Sequence, residues 1–346
     1  MDATIFSFLL QDAATNGAIY ALLALALVLV FAVTRILFIP QGEFVAFGAL
    51  TYAMLEIGVV PGTVWLLLCF GLAAFAVEMY SSRRAMTARK VALEAASKVL
   101  LPAAIAVAVI LIAPSKPGPL LASLLTVVMV APMGPYLYRF AFQPMAEASI
   151  LVLFIAAVAI HLALTGLSLV FFGPEGLRAS PLSGDMFEIG PLLVTGQSLS
   201  VYALAIGLMG GLYLFFSRTL WGKALAATAV NRLGARLVGI PTTLSGKVAF
   251  TLAAAMGAVS GVLLAPMTTV YYDTGFIIGL KGFIAAIIGG LVSFPLAAAA
   301  ALGVGLVEAF ASFYASPFKE IIVFMLIIPV LIWRSLVTHH VEDEEE

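Results

Sequence analysis

The stretch from Arg218 to Lys247, RTLWGKALAATAVNRLGARLVGIPTTLSGK, decides how this chain is read. It holds five cations (Arg218, Lys223, Arg232, Arg236 and Lys247) and no acid, in a chain of which only 10% is charged. Apolar runs flank it on both sides, so it is a polar connection between two membrane spans. Ala226, Val230, Leu233 and Leu237 fall at i, i+4, i+7 and i+11, the spacing of a single apolar stripe, which predicts a short amphipathic helix. Gly239 followed by Pro241 ends it, a residue tolerant of the left-handed region and then one that cannot continue a helix. Such a stretch is either an ordinary basic loop on the cytoplasmic side or a helix that docks on a cytoplasmic partner.

The rest of the chain is built for lipid. Of its 346 residues 63% are hydrophobic and mean hydropathy is +1.15, against roughly 45–50% apolar and about 25% charged in soluble domains. The excess runs from end to end, which implies one all-α polytopic domain over residues 1–346 with no sizeable soluble part. A net charge of −1 gives no reason to expect a nucleic-acid partner. The single cysteine, Cys69, excludes an internal disulfide framework. The start, Met1-Asp2-Ala3-Thr4, lacks the basic region of a cleavable signal.

Eleven hydrophobic segments are expected, at about 15–33, 41–59, 63–80, 96–113, 119–138, 150–172, 198–216, 247–266, 272–293, 295–314 and 319–336. Gly42 and Gly48 interrupt the second, and Gly279, Gly282, Gly289 and Gly290 the ninth, so broken or re-entrant helices are expected there. With the amino terminus outside, the cytoplasmic side carries Arg35, Arg83, Arg84, Arg89, Lys90, Lys98, Arg139, Arg218, Lys223, Arg232, Arg236, Lys247 and Arg334. The other side keeps Lys116, Arg178, Lys281 and Lys319. That is thirteen of the 17 Lys and Arg against four, which places the carboxy terminus in the cytoplasm. The acidic tail 338–346, with His339 and His340, is read as a solvated end and not as a metal site. The basic stretch 81–98 has the pattern of a segment lying on anionic lipid. The Gly-, Pro- and Ser-rich loop 173–197 faces outside, as a connection or a partner contact.

Enzymatic motifs are missing. There is no G-x-x-x-x-G-K-[ST] phosphate loop, no H-E-x-x-H and no C-x-x-C, and His161 is the one histidine outside the tail. Neither metal nor cofactor is expected on this chain. Charges inside apolar segments carry more information, because each is costly in lipid. Lys281 lies eight residues past Asp273, and Glu308 six before Tyr314, hence roughly 12 and 9 Å from the same face at 1.5 Å per residue. The matching depths predict that the two meet across neighbouring segments, holding the fold or lining a path. Glu43, after Gln41 and Gly42, opens the second segment, and Glu78 closes the third. Both are expected near the cytoplasmic face, Glu78 beside Arg83. Gln41, Gly42 and Glu43, with Lys281 and Glu308, are the candidates for the transport path.

The chain resembles the membrane permease subunits of branched-chain amino-acid ABC importers. Asn16 to Leu50, NGAIYALLALALVLVFAVTRILFIPQGEFVAFGAL, is similar to that family's first two segments. Trp221 to Ile240 is similar to its cytoplasmic loop. Gly275 to Ala309, GFIIGLKGFIAAIIGGLVSFPLAAAAALGVGLVEA, follows its carboxy-terminal pattern, with Lys281, Gly289, Gly290, Ser293, Pro295, Gly303 and Glu308; Tyr138 to Pro144 matches more loosely. Two departures stand out. Where the family has an Asn-Phe-Ala-His-Gly-like motif, this chain reads Phe38-Ile39-Pro40-Gln41-Gly42. Residues 81–133 also look like an insertion of two extra segments.

The resemblance implies a type II ABC importer-like permease in a bacterial inner membrane. Its cytoplasmic helix, here Ala226, Val230, Arg232, Leu233, Arg236, Leu237 and Gly239, would fit a groove in an ATP-binding subunit. The implied assembly holds a second permease, two ATP-binding subunits that carry ATP and magnesium, and an extracytoplasmic solute-binding protein. The implied solute is a branched-chain or related amino acid. The competing reading is a self-sufficient ion-coupled transporter or channel, with Glu43, His161, Lys281 and Glu308 as coupling groups.

Overall fold

The computed structural model describes residues 3–81, 87–189 and 192–337, so the tail 338–346 and Arg83 and Arg84 lie outside the described residues. The described chain is helical except for one short hairpin. In order come α1 (Ala3–Thr34), α2 (Gln41–Glu56), α3 (Thr63–Ser81), α4 (Ala88–Ala95), α5 (Leu101–Ile112), α6 (Pro119–Val130), α7 (Met133–Leu137) and α8 (Ile150–Phe172). Strands β1 (Met186–Ile189) and β2 (Leu192–Thr195) pair antiparallel. Then follow α9 (Gly196–Arg218), α10 (Leu220–Val230), α11 (Arg232–Leu237), α12 (Thr242–Leu264), α13 (Thr274–Ile288), α14 (Phe294–Tyr314), α15 (Lys319–Met325) and α16 (Ile327–Val337).

Helix α1 is apolar on every side, which is the pattern of a helix enclosed by others. Accordingly 89% of its most apolar window is buried, against 22% for α8 and 11% for α9 on the perimeter. Helices α2, α12, α13 and α14 pack around it and on each other. Small residues set these contacts, as close helix packing in lipid requires. A Cβ on Gly48 would stand 2.6 Å from Ala258 O, joining α2 to α12, and one on Gly305 would stand 2.5 Å from Ala13 O, joining α14 to α1.

Among the described residues, eight helices are long and apolar enough to span a membrane, so the eleven segments are not eleven equal spans. Segment 41–59 is the 16-residue α2 and segment 272–293 the 15-residue α13. The last segment splits at Leu326 into α15 and α16, because the ring of Pro329 would clash with the carbonyl of Met325 and offers no N–H. Two other segments lengthen. A π-helical turn, Ala96–Leu100, fuses α4 to α5, giving one helix over Ala88–Ser115. A second, Tyr138–Phe142, extends α7. Lys98 in the first turn is buried, so the reading of 81–98 as a lipid-surface segment fails at that residue; Arg89 and Lys90 stay exposed. Within the stretch read as an insertion, α6 packs on α2 and α12 and buries Thr126, Met129 and Val130 completely.

Contacts sort the loops to two ends. At one, Arg35 shares a cleft with Ala226 and Val292, and Arg232 Nη1 donates to Ala146 O at 3.2 Å. At the other, Ser180 N donates to Glu56 Oε2 at 2.8 Å, and Leu177 bridges Val270.

Candidate functional site

The basic stretch forms two helices where the stripe predicted one. Asn231 leaves helical angles (φ −148°, ψ 103°) and its Oδ1 accepts from Gly234 N at 2.8 Å, capping α11. Asparagine is a strong N-cap, so the continuous run from Ala226 to Leu237 breaks there. Thr219 caps α10 in the same way, accepting from Gly222 N at 2.9 Å. The stop at Gly239 takes the expected form: φ is +86°, Ile240 N donates to Ala235 O and Gly239 N to Arg236 O, the two bonds of a Schellman motif. The pair is braced on the bundle by Arg236, whose Nε donates to Thr242 Oγ1 at 3.1 Å and whose Nη1 lies 3.4 Å from Glu147 Oε1. Leu225, Thr228 and Ala235 face inward. Ala226 is exposed, and Val230, Leu233, Leu237 and Val238 are 85%, 68%, 81% and 76% exposed. A capped, braced element thus presents a run of aliphatic side chains and cations outward from the polar end of the bundle.

Lys281 and Glu308 meet as their depths predict, with Nζ 2.5 Å from Oε1. The cluster is larger than the pair. Tyr20 Oη donates to Glu308 Oε2 at 2.6 Å, Lys281 Nζ lies 3.2 Å from Glu320 Oε1, and Lys281 sits over the Tyr20 ring at 5.7 Å. It ties α1, α13, α14 and α15 together.

Glu43 is not near the cytoplasmic face. After α1 the chain runs through residues 35–40 without regular helix, buried among aromatic rings: Phe38 lies 4.7 Å from Phe250 and 5.9 Å from Phe142 between centroids. Helix α2 then begins at mid-depth. Gln41 Nε2 donates to Ala253 O at 2.9 Å, and His161 Nδ1 lies 2.9 Å from Glu43 Oε1. Ala253 is eleven residues from either end of α12 (242 to 253, 253 to 264) and His161 eleven from either end of α8 (150 to 161, 161 to 172). Eleven residues at 1.5 Å each is about 16 Å, half the thickness of a bilayer core. Non-helical backbone at that depth is tolerated because protein encloses it. Gly42 lets α13 close on the start of α2, since a Cβ there would strike the Gly275 carbonyl and stand 3.0 Å from Gly279 Cα. Among the described residues no donor is aligned on either Glu43 oxygen, despite the proximity of His161.

Arg83, the expected neighbour of Glu78, lies outside the described residues. Glu78 Oε2 accepts from Lys98 Nζ and from Arg139 Nε, each at 2.7 Å, and Arg139 Nη2 donates to Ser81 Oγ at 2.6 Å. Each cation comes from one of the two π-helical turns. Tyr136 Oη donates to Ser97 O at 2.6 Å, satisfying a carbonyl in the first turn. Sequence reasoning missed this cluster and the Glu43–His161 approach.

Over residues 9–331 the chain matches the family described as the branched-chain amino acid transport system permease component. It is 28% identical over 216 residues to the high-affinity branched-chain amino acid transport system permease protein BraD of Pseudomonas aeruginosa, covering 60% of this chain and 70% of that one. It is 29% identical over 213 residues to the corresponding permease protein LivH of Escherichia coli K12, covering 60% and 69%. With LivH of Salmonella typhimurium the identity is 28% over 213 residues, with the same coverage. A match across nearly the whole helical bundle, from α1 to α16, shows that the chain belongs to the branched-chain amino acid transport permease family.

Proposed function

We propose that this chain is the membrane-spanning permease subunit of an ATP-driven importer for branched-chain or related amino acids. The observation that carries the reading is the α10–α11 unit. Its exposed Val230, Leu233, Leu237 and Val238 are too apolar to be left in water on a capped and braced element. A cytoplasmic ATP-binding subunit is the partner that gives them a use. Two such subunits, holding ATP and magnesium, supply the energy, and a second permease and an extracytoplasmic solute-binding protein complete the assembly. The basic loops face the cytoplasm of a bacterial inner membrane, with the amino terminus outside. Alternating access then follows from ATP-bound partners favouring one of two bundle arrangements. Solubilising the native membrane in mild detergent and identifying what co-purifies tests the reading. Recovery of ATP-binding and second permease subunits supports it; a chain that moves solute alone in ATP-free liposomes refutes it.

A further inference from the structure

The best-built unexplained feature of the bundle is the Glu43 carboxylate. It is fully buried at mid-depth, and neither oxygen receives an aligned hydrogen bond among the described residues. Glu78 meets two cations, Lys98 and Arg139, and Glu308 meets Lys281 and Tyr20, whereas Glu43 has the His161 ring alone, Nδ1 2.9 Å from Oε1. A buried carboxylate faced by a single ring nitrogen in low dielectric is expensive, and chains keep one where it serves a ligand. The nearest polar groups offer little. Thr165 gives its hydroxyl proton to His161 O at 3.0 Å, and His161 Nδ1, 2.9 Å from Oε1, faces that oxygen alone. With His161 Nδ1 facing Oε1, the site leaves Glu43 Oε2 and the remaining lone pairs of the carboxylate open, and asks for a compact group rich in donors. An alkylammonium, with three N–H donors and one positive charge, has that chemistry.

A way in is visible. The His161 ring stacks on Phe276 at 4.6 Å with 23° between planes, and Phe276 is 38% exposed on α13. Helix α13 rests on the start of α2 through Gly42, Gly275 and Gly279, so separating them there breaks few side-chain contacts. Movement of α13 that lifts Phe276 off His161 would uncover Glu43.

We propose that Glu43, backed by His161, receives the ammonium group of the transported amino acid within the membrane, with Phe276 as the side chain that admits it. The proposal rests on the import reading above. It is tested on the complete importer in proteoliposomes with internal ATP, using labelled leucine as the probe. Glu43→Gln is expected to lower leucine uptake about 10- to 100-fold, the worth of a hydrogen bond to a charged group. ATP hydrolysis stimulated by the loaded binding protein should stay within about twofold, because docking is remote from the site, and this also shows that the variant is assembled. Glu43→Asp should restore part of the uptake. In the wild type, an excess of leucine's des-amino analogue 4-methylpentanoate should fail to compete, whereas competition equal to that of unlabelled leucine would overturn the ammonium assignment. Full leucine uptake by Glu43→Gln would overturn the proposal while leaving the import reading intact. No ATP-dependent leucine uptake by the wild type would instead sink the import reading, and the proposal with it. Loss of stimulated hydrolysis together with uptake, in both Glu43→Gln and Glu43→Asp, would reassign Glu43 to holding the fold and overturn the proposal.

Discussion

Replacing Lys281 by Met should cost more stability than any other single change in its cluster. Lys281 lies within 4 Å of two carboxylates, Glu308 at 2.5 Å and Glu320 at 3.2 Å. Removing it strands Glu308, nearly buried, with only the Tyr20 hydroxyl, while Glu320 keeps Lys319 at 4.0 Å. Breaking a buried pair from one side costs about 3–5 kcal/mol. For a chain of this size each kcal/mol moves the midpoint by about 2 °C, so a fall of roughly 6–10 °C is expected. Glu308→Gln should cost less, about 1–3 kcal/mol, because Lys281 retains Glu320. Removing both charges, in Lys281→Met with Glu308→Gln, should cost less than the two single losses combined, by about 1–2 kcal/mol, since the pair is lost only once. Thermal unfolding of the purified chain in mild detergent, followed by intrinsic fluorescence, reads all three. A Lys281→Met midpoint within 2 °C of the wild type, or strictly additive losses, would refute the view that these charges depend on each other.

Three other outcomes follow from the same geometry. Leu237→Asp and Val230→Asp should change stability by no more than about 0.5 kcal/mol, as exposed positions do, yet reduce ATP-driven uptake strongly; normal uptake at wild-type expression would count against docking through α10 and α11. Glu78→Ala takes the carboxylate from Arg139 while Lys98 keeps Glu94 at 2.7 Å, and should cost about 1–3 kcal/mol, read as a lowered unfolding midpoint. Gly48→Val puts a side chain where Ala258 O stands 2.6 Å from the added Cβ, so overpacking of at least about 1–3 kcal/mol is expected in the yield of folded protein in detergent.

Much of this was legible in the residues, and the gaps have physical causes. Membrane class came from composition, because lipid tolerates few charges. Lys281 and Glu308 could be matched because each sits in a regular helix whose end is marked nearby, by Asp273 and Tyr314, and depth then follows from rise per residue. Gly239 announced its left-handed cap. The breaks near Gly42 and after Ile288 were signalled by glycines. The Asn231 break was overlooked although the signal was there: asparagine before a basic run is a better cap than a helix interior residue. Glu43 was misplaced because depth was counted from the end of α1, as though the chain left the membrane there. Instead residues 35–40 stay inside, sheltered by Phe142 and Phe250 from segments more than one hundred residues away. The Glu43–His161 approach spans 118 positions (161 − 43), and local periodicity has no access to it. The π-helical turns that aim Lys98 and Arg139 at Glu78 answer to tertiary packing, for which the sequence has no dependable mark.

The central claim, that α10 and α11 carry the coupling to a separate ATPase, can be tested at one position. Cys69 is the chain's single cysteine, so Cys69→Ala with Leu237→Cys leaves one thiol, at the exposed tip of α11. A short thiol-reactive cross-linker is applied to native membranes with and without ATP, and the product is identified by mass spectrometry. The account predicts a cross-link to an ATP-binding subunit whose yield changes with nucleotide. Persistent uptake of solute with no cross-link to any such subunit would contradict it.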